Sequence, residues 1–182
     1  MQNSKRDFKF FHQNIRGLVN KVDELLISLS NTNPQLLCIS EHHLHSEQIC
    51  HINLEQYTLG TYYCRKHCKM GGVSIFTLKN QYFEVVNLNN FCKEKDFSVC
   101  ALKLLVNTTY LIVLCIYRSP TGDFSYFLSH LEKLLITLYS VSKNIILCGD
   151  FNVNFHVNSM DPISTSRASA IELLLHSFCL EG

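Results

Sequence analysis

Short apolar runs, none approaching the roughly 20 residues of a membrane span, punctuate the chain and limit its fold more than any other feature. Residues 8–15, 36–40, 57–64, 73–78, 82–86, 98–106, 109–117 and 145–148 are rich in Val, Ile, Leu, Phe and Tyr and read as strands. Three stretches carry apolar residues at helical spacing instead. The first has Asn20 as a plausible N-cap, Asp23 and Glu24 in its first turn, and Val22, Leu25, Leu26 and Leu29 on one face. The second begins near Asp123 with the stripe Phe127, Leu128, Leu131, Leu135 and Leu138. The third runs from about Thr165, with Ile171, Leu174, Leu175 and Phe178 inward. Lys79-Asn80-Gln81 and Asn107-Thr108 read as hairpin turns. Helices alternate with strands at both ends and hairpins fill the middle, which is an α/β pattern with mixed or antiparallel sheets. Two sheets packed face to face, with helices outside, would bury all these runs.

Hydrophobic residues make up 47% of the 182, enough for one globular domain spanning 1–182. A formal charge of +1 excludes a strongly basic coat but leaves room for a local phosphate-binding patch. The start lacks the apolar core of a secretory signal, so an intracellular, membrane-free protein is expected. Of nine cysteines, Cys38, Cys100, Cys115 and Cys148 lie inside apolar runs and read as buried free thiols. Cys64 and Cys68, with His51 and His67, have an allowed zinc spacing, but no second cysteine pair completes a standard motif. Arg65-Lys66-His67-Cys68-Lys69 is a basic cluster before two glycines. It reads either as a solvated hairpin loop or as a mobile loop on a DNA backbone, with Tyr62 and Tyr63 adding stacking surface.

Polar groups stand where apolar strands end: Gln13-Asn14, Glu41, Tyr117-Arg118, and Asp150 with Asn152. Strand ends on one rim can converge, and the residue types suit phosphodiester cleavage. Glu41 and Asp150 offer carboxylate oxygens to a hard cation such as Mg²⁺, which keeps several waters and needs only one or two acids. Asn14, Asn152 and Tyr117 offer neutral donors for phosphate oxygens or for orienting a carboxylate. Taken singly, each has a bland reading as a loop acid, a turn former or strand filler. Taken together and in this order, they favour a site.

The same residues carry a family resemblance. Gln13-Asn14-Ile15-Arg16-Gly17, Ser40-Glu41-His42-His43-Leu44, Ile116-Tyr117-Arg118-Ser119-Pro120 and Gly149-Asp150-Phe151-Asn152 resemble four ordered motifs of the endonuclease/exonuclease/phosphatase family. Met70-Gly71-Gly72-Val73-Ser74-Ile75 resembles the glycine pair before a central strand in its non-LTR retrotransposon members, as do the Asn-Ile-Arg-Gly and Arg-Ser-Pro forms. The resemblance implies a four-layer α/β sandwich and a DNA-nicking enzyme that uses Mg²⁺, with Mn²⁺ able to replace it. By position, Asn14 would orient the metal site, and Glu41 and Asp150 would serve the metal. Tyr117 would contact the scissile phosphate, Asp150 would also activate water, and Asn152 would stabilise the transition state. Arg16, Arg65, Lys66, Lys69 and Arg118 would contact DNA. A 3′-hydroxyl would be left for a downstream reverse transcriptase domain, in the nucleus by implication of the substrate.

Family members continue into further strands and a Ser-Asp-His motif that this sequence does not contain. Open sheet edges and very weak or absent nicking are therefore expected, with His42 and His43 the nearest substitutes for the histidine. The alternatives are a catalytically inactive remnant with at most DNA or protein binding, and a phosphomonoesterase or phosphodiesterase acting on small phosphorylated substrates.

Overall fold

The computed structural model describes residues 8–68, 70–155 and 162–180. The first sheet contains β1 (Phe10–Asn14), β2 (Leu36–Ser40), β3 (Tyr57–Tyr63) and β4 (Val73–Leu78), in the spatial order β1-β2-β4-β3. The second contains β5 (Phe83–Val86), β6 (Ser98–Val106), β7 (Thr109–Tyr117) and β8 (Ile145–Asp150), in chain order. Among the described residues only β1/β2 and β7/β8 pair in parallel. A parallel pair cannot be closed by a tight turn. Each is accordingly bridged by a helix: α1 (Val22–Ser30) between β1 and β2, and α3 (Phe124–Tyr139) between β7 and β8. A short α2 (Ser46–Ile49) follows β2, and α4 (Pro162–Ser177) follows β8.

The sheets stack face to face, and the alternation along each strand sorts its side chains into layers. On β7, Val113, Cys115 and Tyr117 meet Leu36, Cys38, Val73 and Ile75 of the other sheet. Ile112, Leu114 and Ile116 point the opposite way, onto Phe127, Leu131, Leu134 and Leu135 of α3. On β2, Leu37 and Ile39 pack against Leu25 and Leu29 of α1. The result is a four-layer α/β sandwich, as the sequence implies. Asp123 caps α3 by accepting the Tyr126 N–H at 3.0 Å. All nine thiols are free, and burial pushes the Cys100 and Cys115 thiols well up, which leaves them unreactive. Among the described residues no helix is long and apolar enough to cross a membrane.

Two local expectations change, and one short helix is added. Asn20 sits inside a single 3₁₀ turn (Val19–Lys21), and α1 begins at Val22 without a side-chain cap. The segment 79–81 is not a hairpin turn. β4 already pairs on both sides, with β2 and β3, so the chain crosses to the other sheet and β5 pairs with β6. Four-residue α2 is too short to leave a periodic signature. The 107–108 turn does close a hairpin, with Asn107 and Thr108 both at positive φ (54° and 101°). β1 and β8 are sheet edges, and residues along them, with Phe151, Phe155 and Leu175, line an apolar groove of about 890 Å³.

His42 is the buried polar hinge where β2 turns toward the rim. Its Nδ1 accepts the Leu44 N–H at 3.0 Å and its Nε2 donates to the Tyr63 carbonyl at 3.2 Å, so the ring is neutral with its proton on Nε2. Burial lowers its pKa to about 4. The unfolded chain therefore binds this proton first on acidification, and stability of order 3 kcal/mol is lost as the pH falls from about 6.5 to about 4. Urea denaturation across that range should show the loss, and His42→Gln should flatten it. Equal slopes in the two proteins would contradict the assignment.

Candidate active site

Both parallel pairs end on the same rim. Asn14 is in register with Ser40, the residue before Glu41, and Tyr117 is in register with Asp150. The edge strands β1 and β8 meet there, so Asn14 Nδ2 reaches across the two sheets and donates to Asp150 Oδ2 at 2.5 Å. The other Asp150 oxygen accepts the Asn152 N–H at 2.8 Å. The Tyr117 hydroxyl lies near the Glu41 carboxylate and Ser119, which act on its pKa in opposite directions, Glu41 raising it and Ser119 lowering it. Asn14, Glu41, Tyr117, Asp150 and Asn152 thus converge at one place, although they come from four strand ends.

The backbone is bent to aim these groups. Arg16, Glu41, His43 and Asn152 all have positive φ (47°, 55°, 58° and 49°), a conformation costing of order 1 kcal/mol each outside glycine. Glu41 is pinned on both sides: its N–H donates to the Gly72 carbonyl at 2.9 Å and its carbonyl accepts the Gly17 N–H at 2.8 Å. Before Asp150, Gly149 (φ +148°) passes so close to β7 that a Cβ would lie 1.9 Å from the Ile116 carbonyl oxygen. Only glycine lets β8 bring its aspartate to the rim.

Burial, then the hydrogen bond to Glu41, pushes the Tyr117 pKa up to about 12, so the phenol is a neutral donor at physiological pH. His43 Nε2 lies 3.4 Å from Glu41 Oε2, and that nitrogen is buried without an aligned hydrogen-bond partner. Among the described residues no cluster of three or more His, Cys, Asp or Glu forms a closed metal cage. The donor set instead fits a hard cation held by one carboxylate with waters and phosphate oxygens completing its shell, the habit of Mg²⁺.

The Endonuclease/Exonuclease/phosphatase family profile matches residues 11–169. The chain belongs to that family. Among solved structures, the endonuclease domain of TRAS1, a telomere-specific non-LTR retrotransposon, superposes with a TM-score of 0.67 at 11% identity, over 97% of this chain and 74% of that one. An AP endonuclease from Archaeoglobus fulgidus gives 0.64 at 17% identity, over 94% and 71%. A 3′-5′ exonuclease from Neisseria meningitidis gives 0.64 at 16% identity, over 92% and 70%. At these identities the likeness is one of fold. No curated protein sequence matches.

The expected DNA contacts divide. Arg16 and Lys66 are exposed, Arg16 beside the site and Lys66 on the loop after β3, where Glu94 holds the backbone N–H groups of Lys66 and His67. Lys69 lies outside the described residues. Arg65 and Arg118 are buried and cannot meet a DNA backbone as expected from their charge. Arg118 is spent on carbonyls: Nε donates to Phe151 (2.9 Å), Nη1 to Ser119 and Gly122 (both 3.0 Å), and Nη2 to Asn152 (2.9 Å). Asn152 Nδ2 returns a bond to the Arg118 carbonyl at 2.7 Å. The guanidinium therefore ties the end of β7 to the loop after β8. Ser119, beside Tyr117, had no role in the sequence reading. Its place in the Tyr-Arg-Ser-Pro run was the available signal.

Arg118→Met should leave these carbonyls without donors and lower stability by about 3 kcal/mol or more. Chemical denaturation measures this. A change under about 1 kcal/mol would place Arg118 among ordinary surface cations.

Proposed function

We propose that this site hydrolyses phosphodiester bonds in DNA, cutting one strand as an endonuclease with a bound divalent cation. What supports the reading is the convergence on one rim of two acids, a tyrosine and two asparagines, with the Asn14–Asp150 hydrogen bond running between the two sheets. Glu41 would hold the cation, Mg²⁺ or Mn²⁺, which supplies Lewis-acid polarisation of the phosphate and charge for the leaving oxygen. Both Asp150 oxygens already accept one neutral hydrogen bond, which orients the carboxylate while leaving lone pairs free for the attacking water. Asp150 is thus better suited to position that water than to bind metal. Tyr117, held neutral, can donate to a phosphate oxygen in exchange for Glu41. With one amide N–H of Asn152 donating to the Arg118 carbonyl, the other would donate to a phosphate oxygen on which charge develops.

The sequence forms Asn14-Ile15-Arg16-Gly17 and Arg118-Ser119-Pro120 support a non-LTR retrotransposon origin over a repair or phosphatase branch. In that setting the domain would act in the nucleus, and its 3′-hydroxyl product would prime a reverse transcriptase domain of the same element. Exposed Arg16 and Lys66 would meet the backbone of the duplex.

In Mg²⁺, nicks in supercoiled plasmid should be extended by a DNA polymerase without end repair, and p-nitrophenyl phosphate should stay intact. Blocked ends, or a preference for the monoester, would overturn the reading. Lys66→Ala should weaken binding of uncut duplex and lower its log–log salt slope by about 1.

A further inference from the structure

Arg65 is 5% exposed and forms no ion pair among the described residues. Burying a guanidinium without an acid is costly, so its other contacts must be specific. Nη1 donates to the Met70 carbonyl at 2.8 Å and to Ser119 Oγ at 3.2 Å, while Nε and Nη2 each lie 3.4 Å from Ser98 Oγ. The guanidinium carbon stands 5.0 Å from the centre of the Tyr117 ring. Arg65 therefore meets Tyr117 at the ring face and also holds Ser119, two residues further along the same segment. A Cβ on Gly71 would fall 2.4 Å from that guanidinium carbon, so the glycine leaves the space the arginine fills.

A planar guanidinium can lie against a ring and donate to several acceptors at once, whereas an ammonium is a point charge with no face. Only the first matches the set of partners here. Resting on the phosphodiesterase reading of the site, we propose that Arg65 is a positioning residue, which holds the Tyr117 ring so that its hydroxyl stands beside Glu41, where the scissile phosphate enters. Its role is exerted through Tyr117. It does not itself reach the phosphate, and it does not bind DNA from the surface.

The test is Arg65→Lys, alone and with Tyr117→Phe, in protein carrying ¹³C-labelled tyrosine. The Tyr117 signal is the one absent from Tyr117→Phe. In Arg65→Lys it should shift or broaden while the other tyrosines stay unmoved, and a fixed Tyr117 signal overturns the proposal whether or not the protein nicks DNA. Where wild-type protein nicks plasmid, Arg65→Lys should lower kcat by about tenfold or more with KM changed less than about threefold. In the Tyr117→Phe background the same substitution should do nothing further. An equal loss in both backgrounds overturns action through Tyr117. A folded wild type without nicking removes the phosphodiesterase reading and leaves the tyrosine spectrum to decide the positioning. If Arg65→Lys does not fold, Ser98→Ala carries the same readouts, with a smaller displacement of the Tyr117 signal expected and none overturning the proposal.

Discussion

A guanidinium buried at the end of β7 and saturated by backbone carbonyls is the joint on which the site depends. Arg118 fixes the loop after β8 to the strand that carries Tyr117, and Asp150 and Asn152 keep their places because of it. Charge-assisted hydrogen bonds of about 1.5–3 kcal/mol each oppose a desolvation cost of several kcal/mol. The net gain is modest, but the loss of the cation would strand all its acceptors. From that joint, the Asn14–Asp150 hydrogen bond carries the arrangement into the other sheet, where Glu41 stands. The geometry of the site is thus inherited from how two sheets stack, through single side chains that cross between them.

Pre-organisation has a visible cost here. Glu41 and Asn152 hold a left-handed backbone, and the Glu41 loop is pinned by carbonyl and N–H groups of the neighbouring turns. His42 is kept neutral inside the same loop, which ties the shape of the rim to pH. Such strain persists where surrounding structure over-determines it, and a site that must present donors to developing charge without rearranging is where it is useful.

Strand limits were legible where apolar runs stop at turn residues. Leu36–Ser40, Val73–Leu78, Ser98–Val106 and Thr109–Tyr117 stand where the pattern puts them. The convergence of Asn14, Glu41, Tyr117, Asp150 and Asn152 was also legible, because each follows a strand and their order resembles a known family. Sheet membership was not. Nothing local in 79–83 tells a hairpin from a crossing between sheets, since that choice is made by β2 and β3 occupying both edges of β4. The burial of Arg65 and Arg118 was not legible either, for a related reason. Arginines are rarely buried without an acid partner, and their partners here are carbonyls, hydroxyls and rings, which leave little trace in a sequence. The Asn20 cap failed because a 3₁₀ turn precedes the helix and displaces its start.

The most direct test of the account is a supercoiled-plasmid nicking assay in Mg²⁺ with wild-type protein, Glu41→Ala and Asp150→Ala, each shown to be folded by circular dichroism. Wild-type protein should nick slowly, only with the cation present, and nicking should fall by about 10²-fold or more in both variants. Nicking that survives either substitution, or a folded wild type indistinguishable from them, would contradict the account.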